Sequence, residues 1–203
     1  MDRTELDQKL HREIKHYLGI PYFINSPSNP HQKHDWQVGK GNWRQIQKHT
    51  QALAIKEKID LSQLNKQQLY NFQKKHGIGI DCSGLVYHLS DFLYRLKNSH
   101  PIRSHLIGTE GKTGPRRLSA GLLTSSPNAV PVAKWTDIQI GDLIRTDNGI
   151  HVLFIYKKAK NKIFYVHSRH QNRLVKTGTL TTSDSLSVHR LKCLTSLQTT
   201  LRT

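Results

Sequence analysis

Apolar residues recur at helical spacing through the first half of the chain and at strand spacing through much of the second. Leu6, Leu10, Ile14 and Leu18 lie four apart with charged residues between them, which predicts a helix over 2–18. Gly19 and Pro21 supply its stop. The short extended segment Pro21-Tyr22-Phe23-Ile24-Asn25 follows. Residues 25–42, rich in Asn, Ser, Pro, His and Gly, read as an irregular loop. Ile46, Leu53, Ile55 and Ile59 predict a helix over 43–59. Asp60 or Ser62 caps another, which carries Leu64, Leu69 and Phe72 and stops at Gly77. The strongest stripe is Leu85, Leu89, Phe92 and Leu96, widened by Val86 and Leu93. It predicts a helix from Cys82 to about Leu96, capped by Asp81, with one face in a core.

Residues 97–135 are punctuated by Gly108, Gly111, Gly114, Pro115, Pro127 and Pro131 and read as loop-rich, with a short helix or strand at Leu118–Leu123. From Ile138 the period shortens. Strands are expected at 142–145, 151–157, 162–168, 173–176 and 186–191, with turns at Asp147-Asn148-Gly149 and at 158–161. The 151–157 segment is apolar on both faces, as suits a central strand covered on both sides. Strands in succession after helices make an α+β arrangement, with helices packed on an antiparallel sheet. A single domain over 1–203 is expected, carrying a helical insertion at about 26–76 and a loop-rich one at about 97–135.

Charge narrows the partners. Lys and Arg number 31 against 14 Asp and Glu, a formal net charge of +17. That excess favours anionic partners such as nucleic acid, an anionic cell-wall polymer or an anionic membrane, without choosing among them. Zinc-finger spacing and an aromatic RNA-binding strand are both lacking, so no specific nucleic acid is expected. No apolar run reaches membrane-spanning length, so no transmembrane segment is expected. The start, Met1 to Leu10, has no apolar core of a secretory signal. A cytoplasmic location is the default expectation, and a cell-wall or extracellular one requires another export route. Two cysteines, Cys82 and Cys193, make no disulfide framework, and no Cys-x-x-Cys pair suggests a metal site. Neither a cofactor nor a metal is expected.

Cys82 in the first turn of its helix lies among unpaired backbone N–H groups and at the positive end of the helix dipole. A lowered thiol pKa and a reactive thiolate are expected there. A thiol nucleophile needs a base and a group to orient that base. Of 13 histidines, His151 opens the central strand and His167 closes its hairpin partner. A three-residue loop at 158–160 pairs 151 with 167 and places both rings on one face, whereas a one-residue slip separates them. This gives Cys82 as nucleophile, His151 as base and later acid, and His167 as orienter. Thiolate formation is expected to set the acid limb of a bell-shaped rate profile, and loss of imidazolium the alkaline limb.

These residues resemble a known family. Gly79-Ile80-Asp81-Cys82-Ser83-Gly84-Leu85-Val86 resembles the nucleophile signature of the NlpC/P60 cysteine peptidases. Ile140-Gly141-Asp142-Leu143-Ile144, His151-Val152-Leu153-Phe154-Ile155-Tyr156 and Tyr165-Val166-His167-Ser168 resemble its later segments, and Leu18-Gly19-Ile20-Pro21-Tyr22 its upstream element. The order fits, over about residues 10–25, 78–96 and 136–176. The resemblance implies a papain-like core that cleaves bacterial peptidoglycan stem peptides without a cofactor. It implies that Tyr22 helps hold the oxyanion with the Cys82 backbone N–H, and it makes Asp81 and Ser83 substrate-side candidates beside their roles in the turn. The chain departs from the pattern in the long stretch between Tyr22 and Cys82, in Leu153 for a small residue, in Ser168 for Ala and in Ile140 for Pro. Two other readings stand beside this one: a thiol amidase or acyltransferase acting inside a cell on the same scaffold, and a non-catalytic basic module that binds an anionic polymer.

Overall fold

The computed structural model describes residues 3–24, 39–108, 115–116, 118–170 and 173–195. Among these, five α-helices and a six-stranded antiparallel sheet make an α+β fold. The helices are α1 (Arg3–Lys15), α2 (Trp43–Lys56), α3 (Lys66–Lys75), α4 (Cys82–Arg95) and α5 (Ala120–Leu123). The strands are β1 (Ala129–Pro131), β2 (Leu143–Thr146), β3 (His151–Lys158), β4 (Lys162–Arg169), β5 (Leu174–Thr181) and β6 (Ser187–Leu191), in the spatial order β1-β6-β2-β3-β4-β5.

The double-sided character of β3 is realised. Val152 and Phe154 join one core with Leu10 and Ile14 of α1 and Leu85 and Leu89 of α4. Leu153 and Ile155, pointing the other way as alternation demands, join Ile144, Ile163 and Val188 in a second core. Leu153, which departs from the family pattern, is therefore spent on the second core. Truncating a residue such as Leu85 or Phe154 removes contacts from a packed interior and costs ~2–5 kcal/mol.

Helix faces are where pattern and structure differ. Helix α1 stops at Lys15, and the turn after it buries Tyr17 and leaves Leu18 43% exposed. In α2 the inward residues are Ile46, Thr50 and Ala54, while Ile55 is 78% exposed. Polar Thr50 reaches the inside because its hydroxyl donates to the Ile46 carbonyl at 2.8 Å and accepts from the Gln73 amide at 3.2 Å. Helix α3 is capped by Asn65 in a reciprocal box with Gln68. Asp60 caps only the 3₁₀ turn Leu61–Gln63 before it. The loop-rich stretch contributes α5 and the edge strand β1, which are too short to show a period.

The Gly141-Asp142 element is architectural. Asp142 is fully buried, accepts from the Gln139 N–H at 2.8 Å and forms a two-pronged pair with Arg190 of β6, at 2.7 and 2.8 Å. Burial outweighs the guanidinium and raises the carboxyl's pKa. Arg190→Ala strands that carboxylate, and a loss of ~3–5 kcal/mol is expected in urea unfolding. A loss under ~1 kcal/mol would show that the pair adds little.

Candidate active site

The nucleophile turn is held from two sides by other backbone. Tyr22 and Gly39 each form an isolated parallel bridge with Ile80. The Ile80 N–H donates to the Pro21 carbonyl at 3.0 Å and the Asp81 N–H to the Gly39 carbonyl at 2.9 Å. A Cβ at Gly79 would strike the Pro21 carbonyl, and one at Gly84 the Gly39 carbonyl. The glycines of the signature are thus fixed by close approach. Tyr22 and the nucleophile turn thus lie side by side despite the long stretch of sequence between them.

Asp81 caps α4 through its carboxylate, which accepts from the Gly84 N–H at 2.7 Å. Cys82 is the first residue of α4 and is 8% exposed. The backbone N–H groups of Val152 and Ser83 act on its sulfur and favour the thiolate. The first of these belongs to β3 and is the residue next to His151.

The hairpin brings the histidines together by a route the spacing alone does not reveal. The Ala159 N–H donates to the Lys162 carbonyl at 2.8 Å, so the tip is the two residues Lys160-Asn161. Lys158 pairs with Ile163 and Lys157 with Phe164. Continued without interruption, that register would put His151 and His167 on opposite faces. A bulge at Tyr156 takes up one residue, after which Ile155 pairs with Tyr165 and Phe154 with Val166. The expected three-residue loop and direct 151–167 pairing are thus replaced by a shorter tip, a bulge and a diagonal relation. Both rings remain on one side. His151 Nε2 and His167 Nδ1 are 3.0 Å apart, with ring centroids separated by 5.2 Å.

The β3–β4 ladder ends at Phe154 and Val166, although β3 stays paired with β2 to His151 and β4 with β5 to Arg169. The two strands part at the end that carries the histidines, and the tip of α4 sits there. Ser168 braces the gap, its hydroxyl donating to the Ile80 carbonyl at 2.6 Å. An Ala at this position would have no such bond to give.

Burial sets the protonation states. It pushes the Cys82 thiol up to about 11, with the Asp81 charge adding to it, against smaller downward pulls from the Val152 N–H, the Lys40 charge and the Ser83 N–H. The expected depression by the helix end is overridden, because removing a thiolate from water costs more than one helix terminus returns. Burial likewise lowers both His151 and His167 to about 4. At neutral pH the Cys82 thiol therefore keeps its proton and both imidazoles are uncharged. Burial raises the pKa of the Tyr22 phenol, with the charges of Cys82 and Asp81 adding to it.

Lys40 is the group that sequence reasoning missed. It is 3% exposed, and its ammonium bonds both Asp81 oxygens at 2.9 and 2.8 Å, the Leu118 carbonyl at 2.8 Å and the Ser83 hydroxyl. The single Ser83 O–H has two acceptors within reach, Asp81 at 3.1 Å and the Leu118 carbonyl at 2.9 Å. The two substrate-side candidates, Asp81 and Ser83, are thus engaged inward with Lys40. A lysine in a polar loop reads as a surface charge, and no periodicity marks it otherwise. Arg169, paired with Asp147 at 2.7 and 2.8 Å, and Lys176 lie near enough for their charges to act on His167. Among the described residues, no group of His, Cys, Asp and Glu is arranged to hold a metal ion, and no helix is long and apolar enough to cross a membrane.

The chain matches no family model, no curated protein and no solved structure.

Proposed function

We propose that the protein is a cysteine peptidase of the NlpC/P60 type, with a papain-like core, acting on peptide bonds of peptidoglycan stem peptides. The observation that carries this reading is the 3.0 Å contact between His151 Nε2 and His167 Nδ1, on a strand whose Val152 N–H acts on the thiol at the tip of α4. Because His151 spends Nε2 on His167, Nδ1 is the ring atom left to take the thiol proton. His167 accepts from Nε2–H, which fixes that tautomer and stabilises the imidazolium once it forms. The sulfur attacks the carbonyl carbon as its proton passes to Nδ1. The resulting oxyanion is met by the Tyr22 hydroxyl and the Cys82 N–H. Imidazolium then protonates the leaving amine, and water, activated by the same ring, releases the acyl group.

The substrate class follows from charge and from the family resemblance. Arg169 and Lys176 border the histidines, and the chain is strongly cationic, which suits peptides bearing free carboxylates or a wall polymer that carries them. The test is digestion of defined muropeptides followed by mass spectrometry. New amine and carboxyl termini within the stem peptide are expected. Intact muropeptides, with Cys82 still labelled by a thiol-directed probe, would replace this reading by an amidase or acyltransferase with another substrate.

A further inference from the structure

We propose that Lys40 is a positioning residue for the Cys82 reaction, its buried ammonium neutralising the Asp81 carboxylate that caps the helix beside a sulfur that must become anionic. This rests on Cys82 being the nucleophile. An N-cap carboxylate is an awkward neighbour for such a group. Asp81 organises the turn through Gly84, yet its charge opposes ionisation of the adjacent thiol, second only to burial. Lys40 pulls the other way on the same sulfur. Its geometry suits that task. All of its polar contacts are inside the protein, where its three N–H donors are shared among four oxygens: the two of Asp81, the Ser83 hydroxyl and the Leu118 carbonyl.

The ammonium also joins three distant pieces of chain. Lys40 belongs to the stretch between Tyr22 and Cys82, just before α2, Asp81 and Ser83 belong to the nucleophile turn, and Leu118 comes from the loop-rich stretch before the sheet. The Lys40 carbonyl accepts from His88 Nε2–H at 2.8 Å, on a later turn of α4, which holds the lysine backbone to the same helix. Both departures from a minimal chain thus deliver a group to one ion pair. A surface lysine would be screened by water and would do little to Asp81, whereas a buried one cancels its field at short range.

The test is the pH dependence of iodoacetamide alkylation at Cys82, read residue by residue by peptide mapping so that Cys193 does not interfere. Lys40→Met leaves Asp81 uncompensated and is expected to raise the alkylation midpoint by about one to two pH units. Asp81→Asn keeps a good cap and is expected to lower it. The double variant, with both charges gone, is expected to return to within about half a unit of the parent. If Lys40→Met does not fold, the Asp81→Asn shift and the recovery in the double variant still decide the matter. Midpoints that do not move, or a double variant displaced as far as Lys40→Met, would overturn the proposal and leave Lys40 a structural tie. Because alkylation needs no substrate, failure of the peptidase reading shows instead as intact muropeptides with these shifts preserved.

Discussion

Cys82→Ala is expected to abolish muropeptide cleavage, by ~10⁴-fold or more, while the protein stays folded. The side chain is small and the helix keeps its cap, so the packing loss is ~1 kcal/mol and thermal unfolding should move by only a few degrees. Cys193→Ala is the internal control. Cys193 lies in the 3₁₀ turn Lys192–Leu194 after β6, and its thiol is pushed up by burial to about 11. Cleavage should be unchanged in that variant. Equal losses in both variants would point to a general effect on the fold and away from a nucleophile. Retained cleavage in Cys82→Ala would remove the thiol from the chemistry altogether.

The two histidines should separate by size of effect. His151→Ala removes the base that takes the thiol proton and returns it to the leaving amine, and a loss of ~10³–10⁴-fold in kcat/KM is expected. His167→Ala removes only the partner that fixes the ring, and ~10–10²-fold is expected. The pH profile gives the same assignment a second reading. His151 is lowered to about 4 by burial, so its uncharged, basic form persists down to that pH, and activity should fall as acidity passes through it. The thiol, raised to about 11, loses the proton it must deliver only above that value, which sets the alkaline limb. The limbs are thus assigned to the opposite groups from those a preformed thiolate–imidazolium pair would give. Thiolate absorbance in the ultraviolet, compared with Cys82→Ala, should be absent at neutral pH. A thiolate band there would restore the ion-pair assignment, and reversed losses at the two histidines would exchange their roles.

The parts of this site that sequence discloses are those with local causes. A glycine-flanked Asp-Cys step before a helical stripe gives the cap, the helix start and the position of the thiol, and α4 runs from Cys82 to Arg95. Alternation through 151–157 gives a strand that serves two cores. The histidine pair is legible only in part. Its shared face survives because the two-residue tip and the Tyr156 bulge change the register in compensating ways, and neither leaves a mark that residue spacing can decode. Lys40 is not legible at all. Its burial depends on Asp81, Ser83 and Leu118 arriving from elsewhere, and the thiol's raised pKa depends on how deeply the helix tip is covered. Long-range burial overrides the helix terminus in the same way that tertiary contact turns Tyr17 inward and Leu18 out.

The most direct measurement is the intact mass of the protein quenched in acid during turnover of a defined muropeptide. An adduct equal to the acyl half of the substrate, mapped to Cys82 and missing from Cys82→Ala, is the result expected of an attacking sulfur served by His151 and His167. Cleavage that proceeds with no adduct in wild type, or an adduct that maps to any other residue, would contradict it.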